Sequence, residues 1–126
     1  MITVTAEEIA QFRSQLVDSP EALEAIEAIE ECKGNLEAAT QLIAIETTDE
    51  EVSVRGDSNY LEKLAQRLSK IICQEEFEEL MSGVLTAAIA TLAASGNIPI
   101  ALATPVVIYI VKIGTKKFCE NAKPES

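Results

Sequence analysis

The chain has 126 residues, of which 48% are hydrophobic, so it can fold around a core and is too apolar for global disorder. Its net charge of −11 argues against binding to nucleic acid, which requires an excess of Lys and Arg. It has no histidine and no Cys-x-x-Cys pair, so it carries neither a zinc signature nor a histidine-based catalytic pair. We therefore expect no enzyme activity, no metal and no cofactor.

The composition favours helices, because Ala, Leu and Glu are strong helix formers and only five glycines are present. We therefore predict an all-α protein. Thr5 and Glu8 have the spacing of a capping box, which predicts a first helix to about residue 16. Ser19 is expected to cap a second helix, with Pro20 in its first position and its end near residue 32.

Lys33-Gly34-Asn35 predicts the turn into a third helix. Gly34 can take the left-handed conformation that ends a helix, and Asn35 can cap the next one. The third helix is expected over residues 36–45. The first 47 residues are thus predicted to form a three-helix unit.

Residues 28–42 follow the pattern A-x-x-x-C/A-x-G-N-x-E-A-A-x-x-L. The positions that carry it are Ala28, Cys32, Gly34, Asn35, Glu37, Ala38, Ala39 and Leu42. With this pattern the unit resembles the UBA-like domains, which include ubiquitin-associated domains, CUE domains and the N-terminal domain of elongation factor Ts. The resemblance covers residues 4–46. It implies a compact adaptor that offers a small apolar patch to a protein partner.

The loop between the first two helices departs from the family pattern. Ubiquitin-binding members use a Met/Leu-Gly-Phe/Tyr loop there, whereas this chain has Leu-Val-Asp-Ser-Pro at residues 16–20. Ubiquitin binding therefore does not carry over. The candidate protein-binding residues are Val17, Leu36, Leu42 and Ile43. A generic three-helix unit that simply packs on the second half is the alternative.

Residues 48–58 are polar and acidic, which indicates a linker. We predict that residues 59–120 form a second helical unit and that residues 121–126 fray. One helix is expected from about residue 57 to residue 72 and another over residues 74–94, with one long helix across both as the alternative. Acids at the start of the second one favour a break near Cys73, because the helix dipole stabilises negative charge there.

Residues 80–111 contain no charged side chain. Ser95, Gly96 and Asn97 divide this stretch into two arms of about 15 residues, which predicts a helical hairpin. The last helix, which includes the second arm, is expected over residues 98–119, with Thr104-Pro105 either as a helix start or as a kink. A strand over residues 105–111 is the alternative, since that run is rich in β-branched residues.

Two functions fit these features. The first is a non-catalytic adaptor or assembly protein, with a protein partner and a homodimer through residues 80–111. The alternative is a small membrane-associated protein that uses the same apolar hairpin. The cysteines, Cys32, Cys73 and Cys119, show no disulfide framework, and residues 1–10 do not have the pattern of a signal peptide. We therefore expect free thiols and a cytoplasmic location.

Overall fold

The computed structural model describes residues 3–48 and 60–121. Within these ranges helices account for 82% of the residues and no strand is present, which confirms the all-α prediction. The predicted linker at residues 48–58 and the predicted tail at 121–126 lie outside the described residues except for Thr48 and Asn121, which are the last residues of helices. The helices are α1 (Ala6–Gln15), α2 (Pro20–Glu31), α3 (Leu36–Thr48), α4 (Tyr60–Arg67), α5 (Ser69–Ile72), α6 (Glu75–Gly83), α7 (Leu85–Gly96), α8 (Ile100–Ile113) and α9 (Thr115–Asn121).

The first three helices begin at the predicted caps. The amide of Thr5 donates to the Glu8 carboxylate at 2.9 Å and the amide of Glu8 donates to the Thr5 hydroxyl at 3.1 Å, which completes the capping box. The Ser19 hydroxyl accepts an amide of α2 at 3.3 Å, and the Asn35 side-chain oxygen accepts an amide of α3 at 3.0 Å. Each cap satisfies a donor that the helix itself leaves unpaired.

The turn between α2 and α3 holds the N-terminal segment. Lys33 and Gly34 both have positive φ angles, +57° and +83°. The amide of Val4 donates to the Gly34 carbonyl at 2.8 Å, and Thr3 forms an isolated antiparallel bridge with Asn35. A Cβ atom on Gly34 would collide with the carbonyl oxygen of Val4. Glycine is therefore required here both by the φ angle and by the close approach of the backbone.

The second half is divided into more helices than the sequence predicts. The break near Cys73 is confirmed, since α5 ends at Ile72 and α6 begins at Glu75. The single helix predicted over residues 74–94 is wrong, because Val84 has an extended backbone and separates α6 from α7. Gly83 and Val84 are both poor helix formers, so this position is a weak point in an otherwise continuous apolar pattern.

The final predicted helix is also divided, because Gly114 has a φ angle of +98° and separates α8 from α9. Residues 105–111 are helical, so the strand alternative is wrong. Pro105 lies inside α8 and does not begin it. The Thr104 hydroxyl donates to the Ile100 carbonyl at 2.8 Å, so this buried polar group is satisfied within the helix.

α8 is the central helix of the described structure. It packs against α2, α3 and α7 most extensively, and contacts α4 and α9. Because other helices surround it, it is apolar on nearly all sides instead of along one stripe. Its buried residues are Leu102, Ala103, Thr104, Pro105, Val106, Val107, Ile108 and Ile110.

The predicted turn at Ser95-Gly96-Asn97 is present, with α7 ending at Gly96 and Asn97 in the left-handed conformation. The chain changes direction by 118° between α7 and α8, so the two helices form a corner and not a fully antiparallel hairpin. Buried side chains from both halves of the chain form one cluster. The division into two units stays a prediction.

Candidate functional site

The four candidate protein-binding residues do not form one surface patch. Leu36 and Ile43 are buried in the core, and Leu42 is half-buried against it. Val17 is 64% exposed. Since α3 packs against α2, α4 and α8, the face that carries Leu36 and Ile43 is covered by the rest of the chain.

Val17 is exposed because its neighbour anchors the turn. Leu16 is fully buried, its amide donates to the Phe12 carbonyl at 2.9 Å, and its carbonyl accepts the Ser19 amide at 3.0 Å. With Leu16 turned inward, Val17 and Asp18 face solvent at the corner between α1 and α2. Among the described residues, Val17, Val84 and Val111 are the large apolar side chains that remain exposed.

Glu37 connects α3 to the beginning of α4. One carboxylate oxygen accepts the backbone amide of Leu61 at 3.0 Å, and the other accepts the Gln41 side-chain amide at 2.7 Å. The carboxylate therefore accepts an amide in the first turn of α4, from a residue 24 positions further along the chain. In the sequence Glu37 was identified only as part of the family pattern, because nothing local relates it to Leu61.

Ion pairs connect α1 to α8 and to α2. Lys112 at the end of α8 contacts both carboxylate oxygens of Glu8, at 2.8 and 3.0 Å. Arg13 contacts Glu30 of α2 at 2.9 Å. The hydrogen bond from Lys112, together with those from Thr5, lowers the pKa of Glu8 below its usual value.

The expectation of three free thiols is wrong. Cys73 and Cys119 are joined by a disulfide that spans 46 residues, with their Cα atoms 5.7 Å apart. Cys32 is the free, half-buried cysteine of the described residues, and burial together with the charge of Glu31 raises the pKa of its thiol. Cysteine spacing alone could not pair Cys73 with Cys119, since the fold of the intervening helices brings them together. The cytoplasmic location stays a prediction.

A shallow groove of about 300 Å³ lies where α4 meets the beginning of α8. The residues that line it include Leu64 and Leu102, which are buried, and Arg67 and Asn97, which are exposed. The sequence did not predict this groove, because its walls come from helices that only the tertiary fold brings together.

No group of three or more His, Cys, Asp or Glu residues in the described ranges could hold a metal ion. Over those same residues, no individual helix has the length and apolar character needed to cross a membrane. The bent pair α7 and α8 meets that requirement only when the two helices are taken together, by length and composition.

The chain has no match among known protein families, curated proteins or solved structures. The resemblance of residues 4–46 to UBA-like domains therefore stays a prediction.

Proposed function

We propose that the chain is a non-catalytic adaptor or assembly protein whose first three helices form a UBA-like module. The observation that carries this proposal is the exposed side chain of Val17 in the turn between α1 and α2. In the UBA-like domains that the sequence resembles, this loop makes the contact with ubiquitin. The contact chemistry differs here, because the turn offers a β-branched aliphatic residue and a neighbouring acid instead of a glycine and an aromatic ring.

The surroundings of Val17 define the kind of partner. Asp18 is exposed beside it, and exposed acids continue along α2 at Glu21 and Glu24. The first 58 residues carry 14 acids and 3 bases, which gives this half of the chain its net charge of −11. A matching partner would have a small apolar pocket bordered by Lys or Arg, since complementary charge increases the association rate and the specificity.

The proposal places the contact at the α1–α2 turn and not on α3. Leu36 and Ile43 are buried in the core, so a partner could reach them only if α3 separated from α8. Leu42, which is half-buried, could contribute at most part of its side chain.

Paired aspartate variants test this assignment. We would compare the full chain with Val17→Asp and with Val84→Asp, which changes an exposed valine of similar accessibility in the other half. The wild-type chain would first be used to purify a partner, and the affinity of that purified partner for each variant would then be measured by calorimetry.

We expect Val17→Asp to weaken binding at least about ten-fold, because it places a charge in an apolar contact. We expect Val84→Asp to bind as the wild type does. Equal binding by all three proteins, or loss with Val84→Asp alone, would contradict the assignment of the site to Val17.

A homodimer through residues 80–111 is the assembly that sedimentation equilibrium would test. Most of α8 is buried within the chain, which leaves Val84 and Val111 as the large exposed apolar residues of that range. A dimer that depends on this range should dissociate in Val111→Asp. A dimer that persists in Val111→Asp would exclude it.

Membrane association is the second candidate, because α7 and α8 together have the length and composition of a broken span. It is less favoured, since insertion of α8 would require its removal from α2 and α3. Flotation with phospholipid vesicles separates the two candidates. Recovery of folded protein in the vesicle fraction would favour the membrane function.

A further inference from the structure

The last described helix, α9, follows a glycine and is joined by a disulfide near its end. At its beginning Gly114 has a positive φ angle, and a Cβ atom there would meet no neighbouring atom. Near its end the disulfide joins Cys119 to Cys73, which follows α5. Between these points α9 contacts α5 and α8. The helix is therefore attached to the rest of the described chain through Gly114 at its beginning and through the Cys73–Cys119 disulfide near its end.

We propose that the Cys73–Cys119 disulfide is a reversible redox modification site, and that its reduction by a dithiol releases α9 from α5 and α8. The position of Cys73 supports access to the bond. Cys73 lies between α5 and α6, outside either helix, and is exposed, whereas Cys119 is half-buried. A reductant therefore reaches the sulfur of Cys73 more easily than that of Cys119.

The chemistry is ordinary thiol–disulfide exchange. One thiolate of the dithiol attacks the sulfur of Cys73, which forms a mixed disulfide and expels Cys119 as a thiolate. The second thiolate of the reductant then attacks the first reductant sulfur, which is bonded to Cys73 in the mixed disulfide. This step expels Cys73 as a thiolate and forms the disulfide of the reductant. Two electrons pass to the protein, the two cysteine sulfurs take up two protons, and the reductant leaves as a disulfide.

Reduction should release α9 because, among the described residues, Phe118 is its one buried side chain. A helix of seven residues is too short to be stable alone in water, so α9 depends on its tertiary contacts. Within α9 the main apolar anchor is Phe118, which is buried and meets the ring of Tyr109 edge-on, with centroids 6.5 Å apart. Release of α9 would increase the exposure of Tyr109 and Ile113 in α8, which are half-buried when α9 is in place.

Cys32 provides an internal comparison. Its thiol is half-buried at the end of α2, and its raised pKa leaves less of the reactive thiolate at neutral pH. Its substitution should leave the Cys73–Cys119 bridge intact. Cys32→Ser is therefore the matched control for Cys73→Ser and Cys119→Ser.

Hydrogen exchange followed by mass spectrometry tests the proposal on the full chain. The protein would be oxidised with glutathione disulfide, and the bridge would be verified by alkylation of the remaining free thiol. Exchange of the peptides that cover α9 and α2 would then be compared before and after treatment with dithiothreitol. Reoxidation would complete the cycle.

We expect reduction to increase exchange in α9 at least about ten-fold, while α2 keeps most of its protection and reoxidation restores α9. Cys73→Ser should match the reduced protein, and Cys32→Ser should match the wild type. Unchanged exchange in α9 would overturn the proposal. So would equal loss of protection in α9 and α2, which would indicate that the bridge only stabilises the whole fold, or alkylation of all three cysteines after oxidation.

Discussion

The carboxylate of Glu8 and the ammonium group of Lys112 meet across 104 residues of chain, with both oxygens within 3.0 Å of Nζ. Glu8 lies in the first turn of α1 and Lys112 in the last turn of α8. The contact therefore connects the beginning of the three-helix unit to the end of the central helix. Lys112 is suited to this place, because a cation also stabilises the C-terminal end of α8.

Glu8→Gln should lower the free energy of unfolding by about 0.5–1 kcal/mol at neutral pH, since both partners are partly exposed. Glutamine can still complete the capping box, so the change isolates the charge. Urea denaturation measures the effect, and Glu7→Gln, in the same turn and exposed, is the control. A double-mutant cycle with Lys112→Met should give a coupling energy between Glu8 and Lys112. If the effects of the two substitutions on the free energy of unfolding simply add, a direct interaction is contradicted.

The same pair predicts a dependence on pH. The pKa of Glu8 is lowered in the folded protein, so the pair contributes fully above the ordinary carboxyl pKa of 4.5. Its contribution is lost as the pH falls through the lower, folded-state pKa. The difference in stability between wild type and Glu8→Gln should therefore be present at pH 7 and disappear in strong acid. A difference that increases on acidification would contradict this sign.

Gly34→Ala should destabilise the fold by about 2 kcal/mol or more. The substitution combines a positive φ angle with a collision against the Val4 carbonyl oxygen. Gly83→Ala is the control, because it lies at the end of α6 and its Cβ would meet nothing. Alanine is the better helix former, so Gly83→Ala should be neutral or stabilising. In thermal unfolding, the midpoint temperature of Gly34→Ala should fall. The midpoint of Gly83→Ala should rise or stay unchanged.

Val84→Asp should stabilise the protein by about 0.5–1 kcal/mol. Val84 occupies the N-cap position of α7 with an extended backbone and supplies no side-chain hydrogen bond. Aspartate there can accept a free amide of α7, which valine cannot do. Val84→Ala, which cannot cap, controls for the loss of the exposed valine. If the aspartate variant unfolds no later than the alanine variant in urea, the capping explanation is wrong.

Ala88→Glu should cost at least about 3 kcal/mol, because it places an unpaired carboxylate in the core of the second half. Ala90→Glu introduces the same side chain two residues along α7, where the position is exposed. We expect Ala90→Glu to fold with nearly unchanged stability. Circular dichroism with urea denaturation compares the two, and similar stability in both would show that Ala88 is not a core position.

The local features of the fold could be predicted from the sequence because they depend on neighbouring residues. The capping box at Thr5, the caps at Ser19 and Asn35, and the glycine turn at Gly34 are each encoded within four residues. The breaks at Val84 and Gly114 were missed, since an apolar pattern can continue across a short interruption. Gly114 was the one residue of the sequence that indicated the break between α8 and α9.

Sequence alone determined that this chain is helical, where its first three helices begin, and that residues 80–111 have no charge to place in water. Only the tertiary structure decided which side chains remain exposed. It buries Leu36 and Ile43, leaves Val17 outside, pairs Cys73 with Cys119 and joins Glu8 to Lys112. The physical reason is distance along the chain: caps and turns act over a few residues, whereas these contacts form only when α8 packs among helices from both halves.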